Sequence, residues 1–551
     1  MNISNKKALR FFAFALALLS AFGLFSGRRV YAEKIYPDVD TAKLKALIDL
    51  VNESVYDLKH GYDSSSGVSF STVAADVSSL MITEDAFQNY INSLGLGVPY
   101  FFNVVSFWST YYTKNSVSYV NKIAFRYDDT NVSSVHAKFA VLNNYVDNVL
   151  LGIRDSWSEL EKCLYVHDVV AADFIYDYAV EIYDIYNIIY YKKGVCEAGT
   201  HLTNYILDKA GVGVDNISSE DPDINHIWNA AKINGYWYNF DTTWDRTGVE
   251  VYNRISHEYF LSSDSFFEAD GNHGSDFGSI LGNVTCSNTK YNTNFIKKIV
   301  SRCVYYNGVW YFVYKNASNN VYFAKSSDMT SYENISTLEN KWYVSGSTGT
   351  YYPGWYGGLF LYGNKVIYST PTKVMAYNCD TNTTSTLYNY SGTKKIYGCY
   401  QDGAKCKIAL DTTPYFSAPS STISFNLPAV PSAPAGFSSG EFAENIPAGT
   451  LVKNLYASYG FTVYDESSLD RVYTGLEIWN GTNVYTISIS GDFDRDGLIS
   501  SDDVCYVIKN LSSKKSYPVV KEYDYDNDGV FGFGDATYLL KHIFTPAAYE
   551  I

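Results

Sequence analysis

Cys196, His226 and Asp241 are the residues whose types could together perform nucleophilic chemistry. A thiol attacks a carbonyl only as its thiolate, so it needs a neighbouring base or a field that favours the anion. Cys196 follows Gly194-Val195 and opens a run in which Ala198, Leu202, Tyr205, Ile206 and Ala210 have the spacing of a helix's buried face. Gly211 is a fitting C-terminal stop. A cysteine at a helix N-terminus sits at the positive end of the helix dipole, which stabilises a thiolate.

The base and its orienting acid are expected on a hairpin. The run from His226 to Ile233 reads as a strand, Asn234-Gly235 as a two-residue turn, and the run from Tyr236 to Trp244 as the returning strand. Ile233 then faces Tyr236, Trp228 faces Asp241 and His226 faces Thr243. His226 and Asp241 become diagonal neighbours on one face. Ile227, Ala231, Ile233, Tyr238 and Phe240 make the core side. A carboxylate beside an imidazole fixes its tautomer and leaves the other ring nitrogen for a thiol. Taken singly, a helical cysteine and a strand histidine are most often packing residues; their joint placement is what points to chemistry. His167, His201 and His257 are read as lacking partners at useful spacing.

A second chemistry lies near the C-terminus. Asp492, Asp494, Asp496 and Asp503 stand at positions 1, 3, 5 and 12 of a loop, and Asp524, Asp526, Asp528 and Asp535 repeat them 32 residues later. Oxygens so spaced converge on one hard cation; Gly497 and Gly529 at position 6 allow the sharp turn, and the backbone carbonyls of Leu498 and Val530 add a ligand each. Ser500 at position 9 offers a further oxygen. Gly532 at the same place leaves a ligand to water, so the second site is expected to be weaker. Two Ca2+ ions are expected. A helix follows each loop, with Val504, Val507, Ile508 and Leu511 matched by Ala536, Leu539, Leu540 and Ile543, and Lys509 by Lys541.

Around these sites the chain divides into stretches. Residues 1–32 read as an export leader: Lys6, Lys7 and Arg10, then an apolar run from Phe11 to Phe25, then Val30-Tyr31-Ala32. Residues 33–155 read as a mainly helical part packing on the core, with a helical stretch from Val141 to Leu164. Residues 156–265 hold the cysteine, histidine and aspartate. Residues 285–415 read as β, with propeller-like hairpins such as Tyr306 to Tyr311 and Tyr362 to Tyr368. Residues 416–440, rich in Ser, Pro and Ala, read as a linker, 441–490 as a small β module, and 491–547 as the two-loop calcium module.

Two family resemblances follow. Gly194-Val195-Cys196-Glu197, His226-Ile227-Trp228-Asn229 and the segment Trp237 to Asp245 resemble the bacterial transglutaminase-like superfamily, with Glu161-Lys162, His167-Asp168 and Tyr176-Asp177 similar to its lead-in helix. The resemblance implies a papain-like α+β domain with Cys196 as nucleophile, His226 as base and Asp241 as orienting acid. It also implies thiol-dependent acyl transfer or hydrolysis on protein or peptide amides. The family often has Gly-Tyr-Ala soon after the cysteine, where this chain has Ala198-Gly199-Thr200. Residues 490–545 resemble a type I dockerin, an all-α calcium module found in cellulosomal proteins. That implies a cohesin domain of a scaffolding protein as partner. In that family positions 10 and 11 tune partner choice; here they are Ser501-Asp502 and Phe533-Gly534, so the two faces are expected not to be interchangeable. With Lys509 and Lys541 these form the expected partner-binding set.

The whole is expected to be a multidomain α+β protein, exported and scaffold- or surface-associated. Its 551 residues carry a net charge of −16, which argues against nucleic acid and anionic membranes as partners, and no run after residue 32 is long enough to span a bilayer. The eight cysteines show no paired metal spacing, and a bridge from Cys399 to Cys406 or Cys379 stays open. Two other readings fit the same sequence: a non-catalytic binding or adhesion component, and a polysaccharide-degrading one.

Overall fold

The computed structural model describes residues 40–551 apart from 94–100, 155–156, 178, 247–252, 280–283, 307, 340–357, 363, 380, 403–404, 413–418, 429–440, 444–445, 453–454, 456–461, 464–470, 480–483, 515 and 550. The leader expected at residues 1–32 and most of the expected linker lie outside the described residues.

The N-terminal part is mixed rather than mainly helical. Helices α1 (Thr41–Tyr56) and α2 (Glu84–Ser93) are followed by a long antiparallel hairpin, β1 (Val104–Lys114) and β2 (Val117–Tyr127), and then by α3 (Val132–Leu151). The hairpin forms because its strands are rich in Val, Ser, Thr and aromatic residues, and because Asn115 and Ser116 both take positive φ, as a tight two-residue turn requires. Leu47, Val51 and Val55 of α1 pack against Phe107, Ile123 and Phe125 of the hairpin and Phe139 of α3. The expected helical stretch from Val141 to Leu164 is two helices. α3 ends at Leu151, and α4 (Glu159–Asp173) restarts with a capping box between Ser158 and Glu161.

The core domain places α4, α5 (Ile185–Tyr191) and α6 (Cys196–Lys209) on one face of an antiparallel sheet. Its strands are β3 (Gly213–Ser219), β4 (Ile227–Ile233), β5 (Tyr236–Phe240) and β6 (Phe277–Ser279), in spatial order β5-β4-β3-β6. A short helix, α7 (Asp264–Asp270), lies between β5 and β6 in the chain. Ala198, Leu202 and Ile206 of α6 pack on Ala231, Ile233, Tyr238 and Phe240, as the apolar pattern requires. The opposite face is also covered: Ile217, Trp228 and Ala230 meet Phe267 and Cys286.

Residues 304–338 and 359–389 each form a four-stranded antiparallel meander, and residues 395–426 a three-stranded one. Consecutive sheets share apolar cores, Phe323 with Tyr368 and Ile367 with Ile408. Three successive meanders are what the propeller-like expectation amounts to among the described residues. The third sheet runs past the expected boundary. Ser421–Asn426 is its last strand and not linker, because Ile423 and Phe425 alternate with small polar residues. The first sheet is continuous with the core domain: Trp310 and Phe312 belong to its apolar cluster, and the Trp310 indole donates to Glu161 Oε1 at 2.9 Å.

The small β module is a four-stranded sheet in which Glu441–Ala443 runs parallel to Val484–Ile487. Helices α8 (Ser501–Ser512) and α9 (Phe533–Phe544) close the chain around Phe493, Val504, Val507, Phe531, Ala536 and Leu539. Among the described residues no two cysteines form a disulfide; Cys399 lies beside Cys406 without a bridge. Among the described residues no helix is long and apolar enough to cross a membrane.

Candidate active site

Helix α6 begins at the nucleophile candidate. Val195 is its extended N-cap, with no side-chain cap bond, so the first-turn N–H groups at Cys196 point out of the helix end. Gly211, at φ +79°, ends it by the αL stop expected. Two bonds pin the helix to the strand that carries the histidine: Thr200 Oγ1 donates to the Ile227 carbonyl at 3.2 Å, and Asn229 Nδ2 donates to the Thr200 carbonyl at 2.8 Å. Asn229 Nδ2 also donates to Asn204 Oδ1, and Asn204 Nδ2 to the Asp215 carbonyl, so a buried amide ladder crosses from α6 to β3 and β4. The Ala198-Gly199-Thr200 segment thus has its own use. Thr200 makes the link, and a Cβ at Gly199 would come within 3.2 Å of the Arg246 guanidinium.

The hairpin has the expected register: Ile233 faces Tyr236 and Asn229 faces Phe240, with Asn234 and Gly235 both at positive φ. His226 and Asp241 lie just outside the ends of β4 and β5. His226 Nε2 is 2.5 Å from Asp241 Oδ2. The thiol of Cys196 lies near enough to the same ring to strengthen its hold on a proton. Burial disfavours the imidazolium, but the Asp241 charge, its hydrogen bond and the bond to Cys196 outweigh burial and push His226 up to about 10. Burial would raise Asp241; the charge of His226 and the hydrogen bonds from His226 and His273 hold it well below the usual carboxylate range. Asp241 Oδ1 accepts the backbone N–H groups of Thr243 at 2.7 Å and Trp244 at 3.1 Å. Trp244, 44% exposed, stands edge-on to the His226 ring and leaves the site a half-open wall.

Three histidines were misjudged or missed from the sequence. His273 is fully buried, with Nε2 3.0 Å from Asp241 Oδ2 and Nδ1 2.8 Å from Asp270 Oδ2. Its only sequence signal is Asp270 three residues earlier; its link to Asp241 depends on the fold. His167 and His257 have partners after all. His167 bridges Asp168 Oδ1 at 2.9 Å and Asp245 Oδ2 at 3.1 Å, and His257 Nε2 meets Asp168 Oδ1 at 2.8 Å. Burial opposes the His167 charge, yet the two carboxylates raise it to about 9. Asp168 Oδ2 accepts the Cys303 N–H at 2.6 Å, so this buried network joins α4, the loop after β5 and the first β meander. His201 is pushed down to about 4 by burial alone, in keeping with its dismissal.

Three of the four spaced carboxylates of each acidic loop gather, without Asp496 in the first and Asp535 in the second. Oxygens of Asp492, Asp494 and Asp503 lie within 4.8 Å of one another, as do those of Asp524, Asp526 and Asp528. Gly497 and Gly529 take φ +82° and +84°, and Arg495 and Asn527 are left-handed at position 4 of each loop. Asp503 and Asp535 reach back over their loops to accept the N–H groups of Phe493 and Tyr525. The N–H groups of Leu498 and Val530 are tied at 2.8 Å to Asp496 and Asp528. Ser500 differs from its expected role: its hydroxyl caps α8 by accepting the Asp502 N–H. Clustered carboxylates on a glycine-turned loop suit a hard divalent cation. Ser501, Asp502, Lys509, Phe533, Gly534 and Lys541 are all exposed, beside the uncovered apolar side chains of Ile508, Leu540 and Phe544.

Residues 112–261 match a family model described as DUF553, transglutaminase-like domain. Three solved structures are similar. A TGase is 11% identical at a TM-score of 0.18, over 35% of this chain and 56% of that one. A proposed cysteine protease from Cytophaga hutchinsonii is 12% identical at 0.17, over 31% and 72%. A proposed protease from Parabacteroides distasonis ATCC 8503 is 10% identical at 0.20, over 53% and 59%. The chain thus spans less than two thirds of the first and third of these proteins. No curated protein matches the chain. The stretch that holds Cys196, His226 and Asp241 is thus similar to a transglutaminase-like domain.

Proposed function

We propose that the protein is a thiol-dependent enzyme acting on protein or peptide amides, with Cys196 as nucleophile, His226 as base and acid, and Asp241 as the group that orients it. The observation that carries this reading is that His226 is bonded to the Asp241 carboxylate with the Cys196 thiol as its neighbour. The Cys196 sulfur, its proton already held by His226, attacks the amide carbon. Backbone N–H groups at the start of α6 are placed to receive the developing oxyanion. The C–N bond breaks, His226 gives the proton to the leaving amine, and a thioester remains. Water, activated by His226, then attacks the thioester; the acid is released and the thiol restored. An amine in place of water would give transfer, and hydrolysis is favoured because water is abundant. The match to a transglutaminase-like family and the cysteine protease among the similar structures both accord with this chemistry.

The same reading includes attachment. The two acidic loops are assigned one Ca2+ each, held by Asp492, Asp494, Asp496 and Asp503 and by Asp524, Asp526, Asp528 and Asp535. The exposed set on α8 and α9 is assigned to a cohesin domain of a scaffold outside the cell, reached by export through the leader at residues 1–32.

The test is alkylation of the full chain with iodoacetamide, followed by peptide mass spectrometry. Cys196 should react far faster than the exposed Cys505, and His226→Ala should abolish the difference. Equal rates at the two thiols in the unaltered protein would overturn the enzymatic reading.

A further inference from the structure

Asp241 has its acceptor positions filled. A carboxylate offers about four lone-pair sites; Oδ1 takes the N–H groups of Thr243 and Trp244, and Oδ2 lies against Nε2 of both His226 and His273. His273 is therefore a competitor of His226 for one oxygen. Its other nitrogen faces Asp270 Oδ2 at 2.8 Å. The ring therefore sits between two carboxylates, one at each nitrogen. Asp270, His273, Asp241 and His226 form an unbroken row of contacts leading towards Cys196.

We infer that His273 is a positioning residue for the Cys196 chemistry: it fixes the Asp241 carboxylate and shares the oxygen that faces His226, setting how strongly His226 holds its proton. The inference rests on the assignment of Cys196 as nucleophile. His273 cannot act directly. Its ring is shut in by Phe267 at 4.1 Å and by Trp228 and Tyr259 at 5.0 Å, and its centroid is 5.5 Å from that of His226. The titratable groups facing it are Asp241, Asp270, His226 and Tyr259, the last also bonded to Asp270. It lies beyond the stretch matched by the family model, on the turn after α7. That turn is held by Asp270 Oδ1, which accepts the Asn272 N–H at 2.7 Å.

The experiment is the pH dependence of Cys196 alkylation by iodoacetamide in the full chain, for the unaltered protein, His273→Gln and Asp270→Asn. His273→Gln takes the imidazole from Asp241 Oδ2 and leaves that oxygen to His226, which favours the imidazolium and with it the thiolate. The midpoint of the acid limb should move down by about one pH unit in His273→Gln, and by less in Asp270→Asn. A lower plateau with an unmoved midpoint is what a merely structural role gives, and would overturn the inference. If circular dichroism shows that His273→Gln does not fold, Asp270→Asn decides alone, an unmoved midpoint again overturning it. If Cys196 of the unaltered protein reacts no faster than Cys505, the nucleophile assignment fails first and this inference falls with it.

Discussion

Thr200 Oγ1 donates to the Ile227 carbonyl at 3.2 Å, so the helix that opens at Cys196 and the strand that starts beside His226 are joined one turn from the thiol. The bond sets the separation of nucleophile and base. Thr200→Val keeps the volume and removes the donor, leaving the buried carbonyl short of a partner at a cost of roughly 1–3 kcal/mol. Thermal unfolding should move down accordingly. Cys196 alkylation at neutral pH should slow by more than the folded fraction accounts for.

The hold of Asp241 on the His226 proton gives a second expectation. Asp241→Asn keeps an acceptor for the Thr243 and Trp244 N–H groups but loses the charge that raises His226. His226 should fall from about 10 towards the ordinary imidazole range, readable by NMR titration of the ring. Turnover of any peptide amide substrate should drop by roughly 10²–10⁴-fold, the usual size of a general acid–base contribution. A variant whose His226 still titrates near its original value would contradict the assigned role.

How far this site can be read in the chain follows from how local each relationship is. His226 and Asp241 are legible because a two-residue turn at Asn234-Gly235 fixes the hairpin register, and register fixes which side chains become neighbours. The Cys196 helix is legible from its apolar period and its glycine stop. His273 is not, because a separate excursion through α7 brings it to Asp241. His167 and His257 depend on Asp168 and Asp245, which the chain brings together from three elements. The β1–β2 hairpin was hidden by strong helical patterns on either side, and the strand Ser421–Asn426 by a composition that reads as linker. The acidic loops are legible because every group needed lies within one short segment.

The buried His167 network predicts a pH dependence of stability. His167 is raised from its ordinary value to about 9 by Asp168 and Asp245. A raised folded value means the native state binds the proton more tightly. The resulting stabilisation is complete below about pH 6.5 and is lost as pH rises through about 9. Other groups titrate in the same window, so the measurement is the difference between the unaltered chain and His167→Gln. Their unfolding free energies should converge as pH rises from about 6.5 to about 9, by an amount on the order of 1–3 kcal/mol. Parallel curves would show that His167 holds no extra proton in the native state.

The two acidic loops should respond differently to losing their first carboxylate. Asp492 is buried, and its Oδ2 accepts the Thr474 N–H at 2.7 Å, so it ties the first loop to the small β module. Asp524 is exposed and accepts the Asp528 and Gly529 N–H groups of its own loop. With the proposed Ca2+ bound at both loops, calorimetry should show two binding events on the unaltered chain. Chelator should lower the unfolding temperature of this end of the molecule. Asp524→Ala should remove one event with little other change. Asp492→Ala should remove the other, and should also speed hydrogen exchange at Thr474 and Ile489, because Thr474 Oγ1 shares the same junction through the Ile489 N–H at 3.0 Å. An unfolding profile indifferent to calcium and chelator in the unaltered chain would remove the cation from the account while leaving the geometric difference between Asp492 and Asp524 in place.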